Sequence, residues 1–379
     1  MQVDQINTLG IGRPRPTRTG PIRILVDSFA DAGLPNAQMG NAREIVCRLD
    51  PHRFHIGMFV VGKPDPRITA RPNTNLIRLS RRRQTIRILR EFLWGPHQIL
   101  FYLKASPASR LYMRLRNNCK DGRTIVGTME SQSDVWNEPT VSAEAIDLWK
   151  RTVLCCDYLF SNSKSVQESL QHEHGKASEI IPTGVDTNFF TVNPNRVPNV
   201  RPRVLFVGSL RPFKQPQLLL QAAARFPQAD FRIAGDGPLA SDLKNQIARQ
   251  GLNNARLLGL LDAESLRQEY READIFLFPS LWEGSPKVIL EAAASGLPVI
   301  VRSNYSPETV VHGDTGYQAA SDEDIFSYVD LLLANSSLRE KLGRAGRKHA
   351  THFDWDKITA RWSETFESLA ERKDLRKAS

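Results

Sequence analysis

The stretch from Ala273 to Val301 constrains this chain more than any other. Ile275 to Phe278 is a short apolar run with aromatic and β-branched members, which reads as a buried strand of a parallel sheet. A helix is expected almost at once, over residues 286 to 295. Ser285 is a natural N-cap, and Pro286 suits the first helical position, whose N–H would be unpaired anyway. Gly296 closes the helix, Pro298 lies beyond it, and Leu297 to Val301 resumes as a second buried strand. Strand, helix and strand make a βαβ unit, the building block of an α/β domain.

In such a unit the loop after the first strand opens at the carboxyl edge of the sheet, where the next helix turns its positive end and free N–H groups. An anionic ligand is expected there. Glu283 lies in that loop, and Glu291, eight positions on, lies about 7 Å of rise above the helix start. One carboxylate can meet the part of a ligand beyond its anionic centre while the other meets a part further back. The plainer alternative leaves Glu283 solvated and Glu291 as surface charge beside Lys287 at i, i+4.

Glu283-x7-Glu291 inside PSLWEGSPKVILEAAASGLPVI resembles the signature of retaining glycosyltransferases of family 4, the glycosyl transferases group 1. The resemblance implies the GT-B architecture: two Rossmann-like α/β/α domains with parallel sheets facing an interdomain cleft, and a C-terminal helix crossing back to the first domain. It implies that Glu283 faces the donor sugar. The backbone of Gly284, Ser285, Pro286, Lys287 and Val288 would hold sugar and diphosphate, and Glu291 would bind the nucleotide ribose. The implied reaction moves a sugar from a UDP- or GDP-sugar to a hydroxyl of a glycan, a glycolipid or another acceptor, with retention at the anomeric carbon. It needs no metal and no cofactor besides the donor.

Other segments extend the resemblance over nearly all of residues 21 to 370. Where the family shows Gly-Arg-Leu-x-x-x-Lys-Gly, this chain has Gly208-Ser-Leu-Arg-Pro-Phe-Lys214, then Gln215. Lys214 matches, Ser209 replaces the arginine, and Arg211 is expected to restore the lost charge, since its planar fork suits phosphate oxygens. Gly235-Asp-Gly237-Pro-Leu-Ala240 follows a strand and, read alone, matches a dinucleotide fingerprint. Pro238 sits inside it, however, and no acidic strand end follows, so the family's own glycine loop explains it better. Gly40 is matched to the glycine loop between first strand and first helix, with that helix starting near Asn41. The family carries a histidine after the strand TIVGTM. Here Glu130 stands in its place and is kept as a candidate site residue. The pattern I-P-x-G-V-D recurs at the end of the first domain, with Thr183 in the usual asparagine place.

A chain of 379 residues is long enough for two cores, and 41% hydrophobic with 24% charged residues are globular values. The expected division is a basic tail over 1–20, an acceptor-binding domain over 21–190, a proline-rich linker over 191–202, a nucleotide-sugar-binding domain over 203–352, and a returning helix over 353–379. Four cysteines without a C-x-x-C pair read as thiols in a reducing compartment. No run approaches the twenty apolar residues that cross a bilayer, and the N-terminal stretch lacks an apolar core. The expected location is cytoplasmic, with peripheral attachment to the inner face of the membrane left open.

The net charge of +10 calls for an anionic partner. Nucleotide sugar comes first, with a glycan or lipid-linked acceptor; no nucleic acid is expected, because no helix-turn-helix, zinc-finger or RNP-type pattern is present. RRRQTIRILREFLW, from Arg81 to Trp94, is a basic amphipathic segment. It either lies on an anionic membrane surface or packs its apolar stripe on the first domain's sheet with the arginines in water. Two rival functions remain: a nucleotide-sugar epimerase, and a non-catalytic basic protein that binds membrane or nucleic acid. His172 with His174, and His349 with His352, lack a third partner nearby in sequence and are not taken as metal ligands.

Overall fold

The computed structural model describes residues 20–32, 37–80, 82–116, 122–131, 141–305 and 307–378. The basic tail, apart from Gly20, lies outside them, as does Arg81 of the arginine-rich segment. Strands β1 (Ile22–Phe29), β2 (Phe54–Val60), β3 (Thr74–Arg78), β4 (Ile99–Phe101), β5 (Thr124–Met129), β6 (Tyr158–Ser161) and β7 (Glu179–Ile180) form one sheet in the order β3-β2-β1-β4-β5-β6-β7. Its ladders are all parallel, so helices must cross over between strands. They are α1 (Ala37–Arg48), α2 (Pro66–Ala70), α3 (Gln84–Trp94), α4 (Pro107–Leu115), α5 (Ala143–Lys150) and α6 (Lys164–His174).

The second sheet holds β8 (Arg203–Val207), β9 (Asp230–Ala234), β10 (Ala255–Gly259), β11 (Ile275–Phe278), β12 (Val299–Arg302) and β13 (Gly316–Ala319). Their order is β10-β9-β8-β11-β12-β13, again parallel throughout. Helices α7 (Gln217–Arg225), α8 (Ala240–Gln250), α9 (Ala263–Glu272), α10 (Lys287–Ala294), α11 (Asp322–Ala334) and α12 (Ser336–Ala350) cover it. Every residue of β11 and β12 is buried, as apolar runs in a two-sided sheet require, with Arg302 the one charged member.

The last helix, α13 (Trp355–Ala378), leaves the second domain and packs into the core of the first. Trp362 places its ring 4.7 Å from Phe101 and 4.9 Å from Phe160, and Phe366 meets Phe54 at 6.2 Å. The crossing explains the glycine of I-P-x-G-V-D: a Cβ on Gly184 would stand 2.5 Å from the Trp355 ring. On the opposite face of the first sheet, α3 buries Ile88 and Phe92. The apolar stripe of the arginine-rich segment therefore packs on the sheet.

Two helix starts differ from expectation. Helix α1 begins at Ala37, so Gly40 lies in its first turn and not in a loop. Glycine costs a helix about 1 kcal/mol relative to alanine. Here it makes room, because a Cβ would stand 3.0 Å from Lys287 Nζ of the other domain. Helix α10 begins at Lys287, with Pro286 extended at ψ 118° as the N-cap and no side-chain capping bond. Its end is as expected: Gly296 takes φ 81°, and the Leu297 and Gly296 N–H groups bond back to Ala292 and Ala293.

Candidate active site

Parallel strands deliver their carboxyl ends to one edge, and in the second domain three such ends come together. The loop after β8 carries Gly208 to Gln215, the loop after β9 carries Gly235 to Gly237, and the loop after β11 carries Ser280 to Pro286. Gly235 has φ 136°, and a Cβ there would stand 1.9 Å from the Gly208 carbonyl oxygen. The glycines of these two loops thus serve a close backbone crossing. Leu210 N–H donates to the Asp236 carbonyl at 2.9 Å, fixing one loop on the other.

Three contacts join the first and third loops, and a fourth braces Glu283 within the third. Lys214 Nζ pairs with Glu283 Oε1. Ser280 Oγ donates to the same carboxylate oxygen at 2.6 Å. Leu281 N–H donates to the Phe213 carbonyl at 2.8 Å, and the Phe213 and Trp282 rings stack at 5.5 Å. Lys214 also lies 4.8 Å from the centre of the Phe278 ring, a cation–π placement. Arg211 is exposed at the start of the short turn Pro212–Lys214. Gln215, where the family has glycine, takes the left-handed φ of 49°, a region glycine enters at least cost. Its side chain is held by Arg302, whose guanidinium donates to Gln215 Oε1 at 2.7 and 3.0 Å and also pairs with Asp322.

The start of α10, which has no side-chain cap, follows four residues after Glu283 of the Lys214–Glu283 pair. Ser285 does not cap it; its hydroxyl is buried without a partner. The first-turn N–H groups and the helix dipole are left to be met by something anionic. Glu291, one turn further, accepts from the buried Tyr270 hydroxyl at 2.9 Å. Burial raises its carboxyl above the usual range, with Lys287 pulling the other way. The solvated-surface alternative for Glu291 does not hold.

The first domain meets this edge directly. A Cβ on Gly284 would stand 2.3 Å from the Glu130 carbonyl oxygen and 2.5 Å from Asn162 Oδ1, so only glycine lets the turn approach. Lys287 sits between the domains, 5.9 Å from the centre of the Trp355 ring, and burial depresses its ammonium. Glu130, at the end of β5, accepts from the Tyr102 hydroxyl at 2.8 Å, and burial pushes its carboxyl up. Behind it lies a cavity of about 20 Å³, room for a water molecule, lined by Asn41, Tyr102, Glu130 and Asn162 among others. Asn41 Oδ1 and Asn162 Oδ1 are buried without a partner.

Deeper in the first domain, Asp27 on β1 accepts from the Lys104 N–H at 2.9 Å, and burial raises its carboxyl to about 6. Sequence reasoning missed Asp27, Asn41, Tyr102, Lys104, Asn162, Tyr270 and Arg302. Asp27, Tyr102, Asn162 and Arg302 share one signal that would have found them: each stands within two residues of a strand's carboxyl end. Tyr270, inside α9, carries no such signal.

Residues 190–349 match the family model Glycosyl transferases group 1. The matched residues contain all three loops just described. The D-inositol 3-phosphate glycosyltransferase of Geodermatophilus obscurus is 30% identical over 270 residues, covering 64% of this chain and 57% of that protein. Across the curated relatives, the matching part spans between 21% and 58% of their length. Two solved structures share the fold over 92% of this chain, each with a TM-score of 0.73. One is sucrose-phosphate synthase from Thermosynechococcus elongatus, at 19% identity over 99% of its chain. The other is Anabaena HepE in complex with UDP and glucose, at 17% identity over its whole chain. The architecture is GT-B: two parallel-sheet α/β domains, with the three loops of the second domain at the junction. No described helix is long and apolar enough to cross a membrane.

Proposed function

We propose that this chain is a retaining glycosyltransferase of family 4, transferring a hexosyl group from a UDP- or GDP-sugar to a hydroxyl of a glycan or lipid-linked acceptor. The observation that carries the reading is the Lys214–Glu283 ion pair, whose glutamate stands four residues before the uncapped start of α10 and whose loop is closed over by Glu130 of the first domain.

Charge growing on the departing diphosphate is met by Lys214, by Arg211 at the loop's exposed edge, and by the backbone N–H groups from Gly284 to Val288. Glu283 orients the sugar as positive charge develops at its anomeric carbon. Glu291 holds the ribose. Glu130, with Gly40 and its helix, forms the wall that faces sugar and acceptor. In the step itself, the bond from the anomeric carbon to the diphosphate oxygen breaks and its electron pair leaves with the diphosphate. The acceptor oxygen bonds to the same face of that carbon, and the acceptor proton passes to the departing phosphate oxygen. No side-chain nucleophile and no metal enter. Contact between the domains excludes water, which would otherwise divert the sugar to hydrolysis.

The test is a thermal-shift and calorimetric screen against UDP, GDP and their sugars, followed by anomeric analysis of the product. Binding of one nucleoside diphosphate and an acceptor product of unchanged anomeric configuration support the reading. Release of an altered free sugar nucleotide without any acceptor would replace it with an epimerase.

A further inference from the structure

The outer face of α3 and α4 sets exposed apolar side chains among exposed arginines. Residues 81–116 hold eight arginines and a lysine against one acid, Glu91. Ile88 and Phe92 turn inward, whereas Arg83, Ile86, Arg87, Arg90 and Trp94, three or four residues apart except for the adjacent Ile86 and Arg87, turn outward and are exposed. Ile86 is 69% and Trp94 75% exposed, and no other described tryptophan is exposed. Alongside, α4 presents Leu111, 42% exposed, with Arg114. The Phe92 and Tyr112 rings, 5.3 Å apart, lock the two helices into one ridge. Arg82, Arg83, Arg90 and Arg114 make no ion pair among the described residues.

We infer that this ridge docks on an anionic lipid bilayer. Arginines alone would suit any polyanion. The apolar side chains set among them decide the matter, because a nucleic-acid backbone offers nothing to bury Ile86, Leu111 and Trp94 against. A bilayer offers headgroup phosphates to the guanidinium groups and acyl chains to the apolar tips, and tryptophan prefers that boundary. Arginine stems lie along the apolar surface while their charged ends stay at the headgroups. Both helices follow parallel strands, so their N-terminal ends sit at the sheet's carboxyl edge, on the side of the cleft. There Arg82, Arg83 and Ser106 line an open hollow of about 390 Å³. A ridge seated on a bilayer brings the cleft mouth to the lipid surface. The inference goes beyond the sugar-transfer reading and does not depend on it.

The test is flotation of the full chain with vesicles of phosphatidylcholine alone, or with about a quarter phosphatidylglycerol, at low and at about 0.5 M salt. The expected result is binding to the anionic vesicles only, lost at high salt. Binding should weaken at least about tenfold in the double variant Ile86→Ser/Trp94→Ser and in Arg83→Glu/Arg90→Glu. In both, thermal unfolding and nucleoside diphosphate binding should stay unchanged, since these side chains are exposed and belong neither to the core nor to the three loops of the second domain. Brominated lipid should quench part of the tryptophan fluorescence in the native chain, and less in Trp94→Phe. The inference is overturned if the native chain ignores anionic vesicles, if both double variants float as well as it does, or if the same substitutions abolish binding to an oligonucleotide that outcompetes the vesicles.

Discussion

Glu283 after β11 and Lys214 after β8 form one ion pair, 13% and 14% exposed, although 69 residues separate them in sequence. The pairing pre-positions both groups at low exposure, where a charge contact is screened least. On the proposed reading, a diphosphate arriving at the α10 start would share the lysine and leave the glutamate free to face the sugar.

This arrangement separates the roles of its two members. Lys214→Ala should weaken nucleoside diphosphate binding about tenfold to a hundredfold, the range for losing a charged hydrogen bond. Glu283→Ala should lower turnover by about 10² to 10³, with donor affinity changing far less. Calorimetry paired with kcat measurements reads both, and full turnover in Glu283→Ala would reject the role given to that carboxylate. Arg211→Ala should weaken diphosphate binding by a smaller factor, since Arg211 is exposed.

Gly284 tests the closeness of the two domains. A Cβ there collides with the Glu130 carbonyl and Asn162, so Gly284→Ala must push the LWEGSP turn away from the first domain. Turnover should fall at least about tenfold, because misplacing reacting groups by an ångström has that scale of effect. Diphosphate binding on the second domain should be largely kept, and equal losses in both measurements would contradict the prediction.

Asp27 sets a pH dependence whose sign is fixed by burial. Its carboxyl titrates near 6 in the folded chain against 3.8 when unfolded, so the folded state binds the extra proton between those values. The stability this group contributes is complete below pH 3.8 and is lost as pH rises to about 6. Asp27→Asn removes the loss and keeps an acceptor for Lys104 N–H. Denaturant unfolding should show it more stable than the native chain at pH 7.5, by up to about 3 kcal/mol, with the gap closing toward pH 4.

Trp362 tests the return of α13. Its side chain is 3% exposed between Phe101 and Phe160, so Trp362→Ala should cost about 3 to 5 kcal/mol. The loss should appear in unfolding of the first domain, since the cavity opens in that core and not in the second. A loss below about 1 kcal/mol would mean that the helix is not a core element.

The second domain was readable because its punctuation is local. Gly296, Leu297 and Pro298 announce the end of α10 within three residues, and the αL glycine with its two back-bonds is what the structure contains. The start was misjudged by one residue, since Pro286 adopts an extended ψ in place of a helical one. The resemblance puts Gly40 in the glycine loop between first strand and first helix; its reason for standing inside α1, room for Lys287 Nζ, lies 247 residues away. The same holds for Arg302 with Gln215 and for Asp27 with Lys104, 87 and 77 residues apart. A single sequence has no local pattern for such pairs. The arginine-rich segment was readable as amphipathic, but only the fold shows that Ile88 and Phe92 are consumed by the core while Ile86 and Trp94 are left outside.

The central claim is that the second domain grips a nucleoside diphosphate between Lys214 and the start of α10. Titration calorimetry of the full chain with UDP and with GDP tests it most directly, using Lys214→Ala and Glu283→Ala as comparisons. The account predicts one site that binds one of the two nucleotides, weakened at least about tenfold in Lys214→Ala and little changed in Glu283→Ala. No binding of either nucleotide, or binding indifferent to Lys214, would contradict it.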